Sequence, residues 1–354
     1  MKRALIFSPY IDSLGGGEVY TFNFAKCLHQ QGFHLDIAWK NDPKIKKELK
    51  NILDISTNTF TFNKKAYQLL AQPSSLLDKF LLTRKYDLVF FLSDGSLPFL
   101  FSKNNIIHFQ VPFTHLKTSP ITKLKLATIH HLICNSTFTK KVIDTQLSIK
   151  SSVLYPPVSL KTSTQSKQNI ILSVGRFTNA LHNKRQDILI QAFKKMVDQG
   201  LKGWQLVLVG SDKEGKKFVT KLKTQATGYP INLKPNLPIK ALDELYTKSK
   251  IFWLATGYDI DPTTNPELVE HFGIVTVEAI SAGCVPVVIN KGGQKEIISH
   301  QTNGFLFENS QELINYSQKL ISQPQLLKQL SFNAQSHAKK FDTQYFCKQV
   351  VTYL

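Results

Sequence analysis

The sequence predicts an α/β chain in which one doubly wound unit is followed by a second. Three patterns carry that expectation: short apolar strands that lead into helical stretches, glycine turns at the junctions, and one polar stretch near the middle with almost no apolar content. A length of 354 residues exceeds what one ordinary hydrophobic core encloses and suits two domains.

The first half opens with an apolar strand at 4–7, a glycine turn in SPYIDSLGGGE, a helix at 19–31 and a strand at 34–39. Strands follow at 87–92, 106–110 and 131–136. Residues 41–86 are lysine-rich and irregular, and are expected to hold one strand within 52–62 and one helix within 69–82. SLKTSTQSKQ at 159–168 reads as the linker. The second half repeats the theme, with strands at 169–175, 205–210, 251–256 and 285–289 and helices at 187–199, 215–226, 241–249 and 275–282. The tail at 311–347 reads as two or three helices, the last returning to the first domain. The expected domains are therefore 1–160, 161–335 and a returning segment at 336–354, with a ligand crevice at the carboxyl ends of the strands.

Composition excludes several classes. Hydrophobic residues at 42% and charged residues at 19% describe a folded globular chain rather than a disordered or collagen-like one. Four cysteines far apart, without CxxC or zinc-like spacing, are expected to be reduced and buried. The N-terminal apolar run is too short for a secretory signal, and no run approaches a membrane span, so a cytoplasmic location is expected. The formal charge of +19 points to an anionic partner. That excess is shared, with 20 basic against 10 acidic residues in 1–160 and 24 against 15 in 161–354, so no detachable basic arm carries it. Nucleic acid is not supported, because no stacking stripe, helix-turn-helix or finger spacing occurs.

Candidate anion-binding groups fall at strand ends. Gly15, Gly16 and Gly17 open the first helix and offer unobstructed amides to phosphate, or else form a structural tight turn. GxGxxG is absent, as is an acidic residue ending the second strand, and GxxxxGK[ST] occurs nowhere. In the second half SVGRF places Arg176 just beyond a strand, while Lys184 and Arg185 precede a helix, so a diphosphate clamp is expected from Arg176 and Lys184. The densest local pattern is PELVEHFGIVTVEAISAGCVPVV at 266–288. Glu270 stands before a helix start at Phe272, Gly273 and Ile274, and Glu278 lies on that helix in an apolar run. A carboxylate so placed is costly unless paired or bound to ligand, and sugar diols are natural donors to it. The bland alternative makes Glu270 a cap and Glu278 a surface residue.

These motifs together resemble the retaining glycosyltransferases of family 4. The resemblance rests on GGGE (15–18), IIHFQ (106–110), CNS (134–136), SVGRF (173–177), HNKRQD (182–187), the E-x7-E of Glu270 and Glu278, GGQKEII (292–298) and NGFLF (303–307). It implies the GT-B fold, two Rossmann-like domains facing across a cleft. It implies further that Gly16 and Gly17 neighbour the donor diphosphate, that Arg176 and Lys184 clamp it, and that Glu270 contacts the transferred sugar. Glu278 would contact the ribose, with Phe272, Gly273 and Ile274 beside the nucleotide sugar, and His108 would reach the transferred sugar. A near-neutral His108 would suit proton handling; a satisfied core histidine is its alternative. His182 is expected to set the phosphate loop.

The resemblance implies a hexosyltransferase whose substrate is a GDP- or UDP-sugar, with mannose favoured by the HNKRQD and HFG variants. No cofactor and no metal are expected, because basic side chains take the metal's part; Asp259 and Asp261 are expected only to shape a loop. The acceptor would be a glycan or a lipid-linked molecule of the cell envelope. Residues 111–132 and 64–85 mix apolar side chains with lysines and suit a peripheral place on the anionic cytoplasmic face of a membrane, or else a solvated helix face. Two other readings are a nucleotide-sugar epimerase on the same fold and a non-enzymatic basic protein that binds membrane or nucleic acid.

Overall fold

The computed structural model describes residues 2–13, 15–53, 60–161, 166–179, 183–213 and 215–354. The chain divides into two units, Met1–Pro157 with Thr343–Leu354, and Val158–Asp342. The boundaries thus fall at 157/158 and 342/343 rather than at 160/161 and 335/336. The reason lies in two helices near the end of the second unit, which bury Leu320, Leu330 and Ala334 there, whereas Phe346 and Val350 join the first core.

The first unit runs β1 (Lys2–Phe7), α1 (Gly16–Gln30), β2 (Phe33–Ala38), α2 (Pro43–Leu53), β3 (Phe60–Phe62), α3 (Lys64–Ala71), α4 (Leu76–Thr83), β4 (Leu88–Ser93), β5 (Asn104–Phe109), α5 (Pro120–Leu126), β6 (His131–Cys134), α6 (Thr137–Leu147) and β7 (Ser152–Val153). Its parallel sheet has the order β3-β2-β1-β4-β5-β6-β7. The order reverses direction between β1 and β4, the place where such sheets leave a crevice. Side-chain alternation divides the strands between two cores. Ala4, Ile6, Leu88, Phe90, Leu92 and Ile106 pack on the face that holds α1, and Leu5, Phe7, Val89, Phe91, Ile107 and Phe109 pack on the other.

The second unit runs β8 (Gln168–Val174), α7 (Gln186–Asp198), β9 (Gln205–Gly210), α8 (Lys216–Ala226), β10 (Ile231–Pro235), α9 (Ile239–Lys248), β11 (Ser249–Leu254), α10 (Ile274–Ser281), β12 (Val285–Ile289), α11 (Gln294–Ile297), β13 (Phe305–Phe307), α12 (Ser310–Ser322) and α13 (Pro324–Ala338). Its parallel sheet follows the same winding, β10-β9-β8-β11-β12-β13. The last helix, α14 (Thr343–Val351), belongs to the first unit.

Three sequence expectations need correction. Residues 43–53 form α2, so the strand expected within 52–62 begins only at Phe60; residues 54–59 lie outside those described. The helix expected within 69–82 is two helices, because Pro73 follows the end of α3 and Ser75 caps α4 by accepting from the Asp78 amide. Cys27 of α1 and Cys347 of α14 form a disulfide, and only Cys134 and Cys284 are free and buried. The spacing of 320 residues hid that pairing from sequence.

His108 is the fourth correction. β5 continues to Phe109, so residue 108 shares the face of Ile106 and lies beneath α1 instead of projecting beyond the strand. Its ring is fully buried and stacks on Tyr20 at 3.9 Å. Burial pushes its pKa down to about 3, offset only in part by the Ile133 backbone, so the near-neutral value expected for proton handling is not found. Between pH 6.5 and 3 the unfolded chain binds a proton here and the folded chain does not, so stability falls as pH falls through that window. The slope from this group is about 1.4 kcal/mol per pH unit. Urea unfolding measured from pH 7 to pH 4 should show His108→Phe losing part of the wild-type acid destabilisation, whereas an unchanged slope would remove His108 as its source.

Candidate functional site

Within the second unit the carboxyl end of β8 meets the loop before α7. Lys184 lies across Gly175 so closely that a Cβ there would stand 2.6 Å from the Lys184 Cγ, which makes glycine a steric requirement of SVGRF. Gln186, buried, donates from Nε2 to the carbonyls of Gly175 and Arg176 at 3.3 and 3.1 Å. That contact fixes the backbone from which Arg176 projects. The Arg176 side chain is exposed and pairs with no other described residue. Arg185 instead ties its loop down, donating to the Tyr258 carbonyl at 2.8 Å and pairing with Asp187 and Asp259.

Lys184 donates from Nζ to Glu270 Oε2 at 2.7 Å, and the two side chains are only 14% and 16% exposed. The Glu270 carbonyl accepts from the Gly293 amide at 2.8 Å, so the turn before α11 holds the residue that presents the carboxylate. Three residues on, Gly273 caps α10 with φ of +117°, a conformation that strains any side-chain-bearing residue. The Thr276 and Val277 amides bond the Gly273 carbonyl at 2.9 and 3.2 Å, which leaves those of Ile274 and Val275 as the donors of this helix start. Gln294 stands beside this helix start, fully buried. Its Oε1 accepts from Thr276 at 2.9 Å, and its Nε2 has no partner among the described residues. Phe272 is buried against Phe341 in an edge contact at 5.4 Å, so any part it takes beside a nucleotide sugar is through its backbone.

Glu278, about one and a half turns into α10, accepts from the Tyr246 hydroxyl at 2.8 Å. Burial holds its carboxyl above the usual range, opposed by the Lys161 charge and the Tyr246 hydrogen bond. Lys161 itself pairs with Asp243 at 2.5 Å and lies over the Tyr246 ring. The structure therefore brings Lys184 and Glu270 together ahead of the Gly273 and Ile274 helix start, sets Glu278 on that helix in a separate pair, and leaves Arg176 exposed with no ion-pair partner among the described residues. Sequence reasoning missed Gln294 and Tyr246. The GGQ triplet carries the only signal for the first; Tyr246, four elements away, carried none.

Gly16 and Gly17 lie in the first unit, in the first turn of α1. There Glu18 folds back so that its carboxylate accepts from the Gly15 amide at 2.8 Å and faces the Ser8 hydroxyl at 3.3 Å. One negative group of the chain already occupies this helix start. His182 lies outside the described residues. Asp261 accepts from the Thr263 amide and hydroxyl and Asp259 pairs with Arg185, both as parts of a loop. Among the described residues no group of three or more potential metal ligands occurs.

Two parallel-sheet units of this winding, with a cation, a carboxylate and a glycine-capped helix start at the strand ends of the second, define a sugar-transfer enzyme of the GT-B fold. Family models match along the chain: Glycosyltransferase Family 4 over residues 14–162 and Glycosyl transferases group 1 over residues 159–337. The chain belongs to this glycosyltransferase family. It is similar to the GDP-Man:Man(3)GlcNAc(2)-PP-Dol alpha-1,2-mannosyltransferase of Dictyostelium discoideum, with 26% identity over 57% of this chain and 41% of the relative. It spans about two-fifths of the length of such mannosyltransferases. An uncharacterized glycosyltransferase of Haemophilus influenzae is 24% identical over 94% of both chains. In fold it resembles Anabaena HepE solved with UDP, at a TM-score of 0.73, 20% identity and 99% coverage of both chains. A Rickettsia africae glycosyltransferase gives 0.76 and 17% over 99% of this chain and 97% of its own. The family does not favour the epimerase or the non-enzymatic reading.

Because the ionised Glu278 is less favourable in the folded chain than in the unfolded one, it lowers stability as pH rises through its raised pKa. Glu278→Gln should therefore keep or raise the melting temperature at pH 7.5; on the expectation that Glu278 accepts from the ribose, it would also weaken nucleotide-sugar binding about tenfold, by loss of the charged acceptor. Calorimetry of both properties checks this, and a variant that melts earlier yet binds normally would contradict it.

Proposed function

We propose that this glycosyltransferase retains the anomeric configuration and moves a hexose, with mannose favoured, from a GDP- or UDP-sugar to a lipid-linked or glycan acceptor at the cytoplasmic face of a membrane. The observation that carries the donor reading is the Lys184–Glu270 pair beside the Gly273 helix start. One end of that arrangement suits a diphosphate and the other suits sugar hydroxyls. Mannose is supported by the name of the Dictyostelium relative, and UDP-sugars by the HepE structures with UDP and UDP-glucose. Among the described residues no helix is long and apolar enough to cross a membrane.

In the proposed reaction the bond from the anomeric carbon to the diphosphate oxygen breaks as the bond to the acceptor oxygen forms on the same face. The acceptor proton passes to the departing diphosphate. Negative charge grows on that group, and in this reading Lys184, Arg176 and the α10 amides would meet it, each cation being worth about 2 to 4 kcal/mol in the transition state. Glu270, released from Lys184 as the diphosphate arrives, accepts from hydroxyls of the transferred sugar. His108, enclosed and neutral, handles no proton in this scheme. The same cations would make the reaction independent of a divalent metal.

Purified protein should be given GDP-mannose, UDP-glucose and UDP-N-acetylglucosamine with membrane extract, and nucleoside diphosphate release measured with and without EDTA. One donor should turn over, equally in EDTA and with retained configuration by NMR. Lys184→Ala and Glu270→Ala should each lose about a hundredfold or more in kcat. Inversion, loss of turnover in EDTA, or no turnover with any donor would each refute the corresponding part.

A further inference from the structure

Half of the twelve large apolar side chains exposed among the described residues lie on two short helices of the first unit. On α4, Leu76, Leu77, Phe80 and Leu81 recur at helical spacing along one side, with Leu77 64% and Leu81 46% exposed. On α5, Ile121 and Leu124 are 59% and 61% exposed. A helix face of this kind ordinarily packs inward. The two helices are joined by an aromatic bridge, since Phe80 meets Phe101 edge-on at 5.3 Å, Phe101 stacks with Phe99 at 6.3 Å, and Lys125 lies over the Phe99 ring. The apolar side chains thus belong to one continuous patch.

Charge surrounds that patch with a single sign. Residues 64–85 and 111–132 together hold eight basic residues and one acidic residue, Asp78, far from the 44 to 25 of the whole chain. Lys79 and Arg84 flank the α4 face, and Lys117, Lys123 and Lys125 flank α5. Asp78 is engaged with Ser75. A cavity of about 600 Å³ lies beside the patch at the carboxyl ends of β1 and β4, with Lys79 of α4 and Thr122 and Lys125 of α5 in its wall. Lys117 and His115 also face it, and Asp94 is its one carboxylate.

We propose that α4 and α5 dock the first unit onto an anionic lipid bilayer, the leucines and isoleucine entering the headgroup boundary and the lysines meeting lipid phosphates. Apolar side chains ringed by cations suit that partner, and a neutral protein surface would leave the cations unused. Docking in this way sets the basic cavity at headgroup level, where a phosphate-bearing lipid acceptor presents its polar end. This deepens the acceptor reading above, but its test needs no donor.

The test is sedimentation of the full chain with vesicles of 70:30 phosphatidylcholine and phosphatidylglycerol, against vesicles of pure phosphatidylcholine, at 0.1 and 0.5 M NaCl. Binding should favour the anionic vesicles and weaken at high salt. Leu77→Glu with Leu81→Glu, Ile121→Glu with Leu124→Glu, and Lys123→Glu with Lys125→Glu should each reduce it at least about tenfold. Ile239→Glu, at an exposed apolar position of the second unit, should not. Light scattering identifies the competing occupant: a wild-type dimer that the leucine pair splits, without vesicle binding, would assign the patch to a second copy and overturn the proposal. Equal binding to both vesicle types, or binding untouched by the three double variants, would overturn it as well. Circular dichroism of all the variants, and nucleoside diphosphate release without vesicles in the two apolar pairs, should be unchanged, which separates failure of docking from failure of the transferase reading.

Discussion

A lysine and a glutamate held together out of most of the surrounding water form the constraint around which the second unit is arranged. Lys184 and Glu270 are 86 residues apart, and each charge would be costly in that position without the other. Their meeting needs the missing side chain of Gly175, the amide of Gly293 on the Glu270 carbonyl, and the Gln186 contacts that steady the strand end. Partial withdrawal from water also strengthens any new interaction formed there. In the proposed reaction an arriving diphosphate would compete for Lys184 against the Glu270 carboxylate, so binding would exchange one ion pair for another.

The helix that follows is secured at its far end by a lysine that faces no ligand. Lys167 donates to the carbonyls of Ser249 at 2.8 Å and Ala282 at 2.6 Å, the latter just past the last turn of α10. Burial lowers its pKa, yet a cation there complements the negative helix end. The net charge of the chain is therefore not one undivided surface property. Some lysines close the protein's own carbonyls, Lys184 is held in a pair, and Lys79 and Lys125 stand half-buried, with Lys123 exposed, beside the apolar side chains of α4 and α5.

Much of the fold was legible because parallel strands buried on both sides write themselves as short continuous apolar runs, as LIF, LVFFL and VPVVI do. Three edge strands escaped, β10 because INLKP alternates weakly, and β7 and β13 because they have two and three residues. The region from Pro43 to Thr83 was misread because lysines mask the apolar spacing of α2, and because a leucine-rich stretch hides the break at Pro73. In the site, Lys184, Glu270 and Gly273 were legible from strand ends and a helix start. Tyr246 was not, since its partner Glu278 is adjacent only through the packing of α9 on α10. His108 already lay within the strand expected at 106–110; that its face of the sheet is covered by Tyr20 of α1 depends on packing the sequence does not show.

The chain leaves the first unit at Pro157 and comes back at Thr343, and the crossings run side by side, with the Val158 amide bonded to the Phe341 carbonyl at 2.8 Å. The second unit is thus an uninterrupted segment, while the first is assembled from two pieces that a covalent bond between Cys27 and Cys347 joins. During synthesis the second unit has all its residues before the first does. The unit whose first segment comes earlier in the chain is thus completed later, because Phe346 and Val350 of its core lie beyond the whole of the second unit.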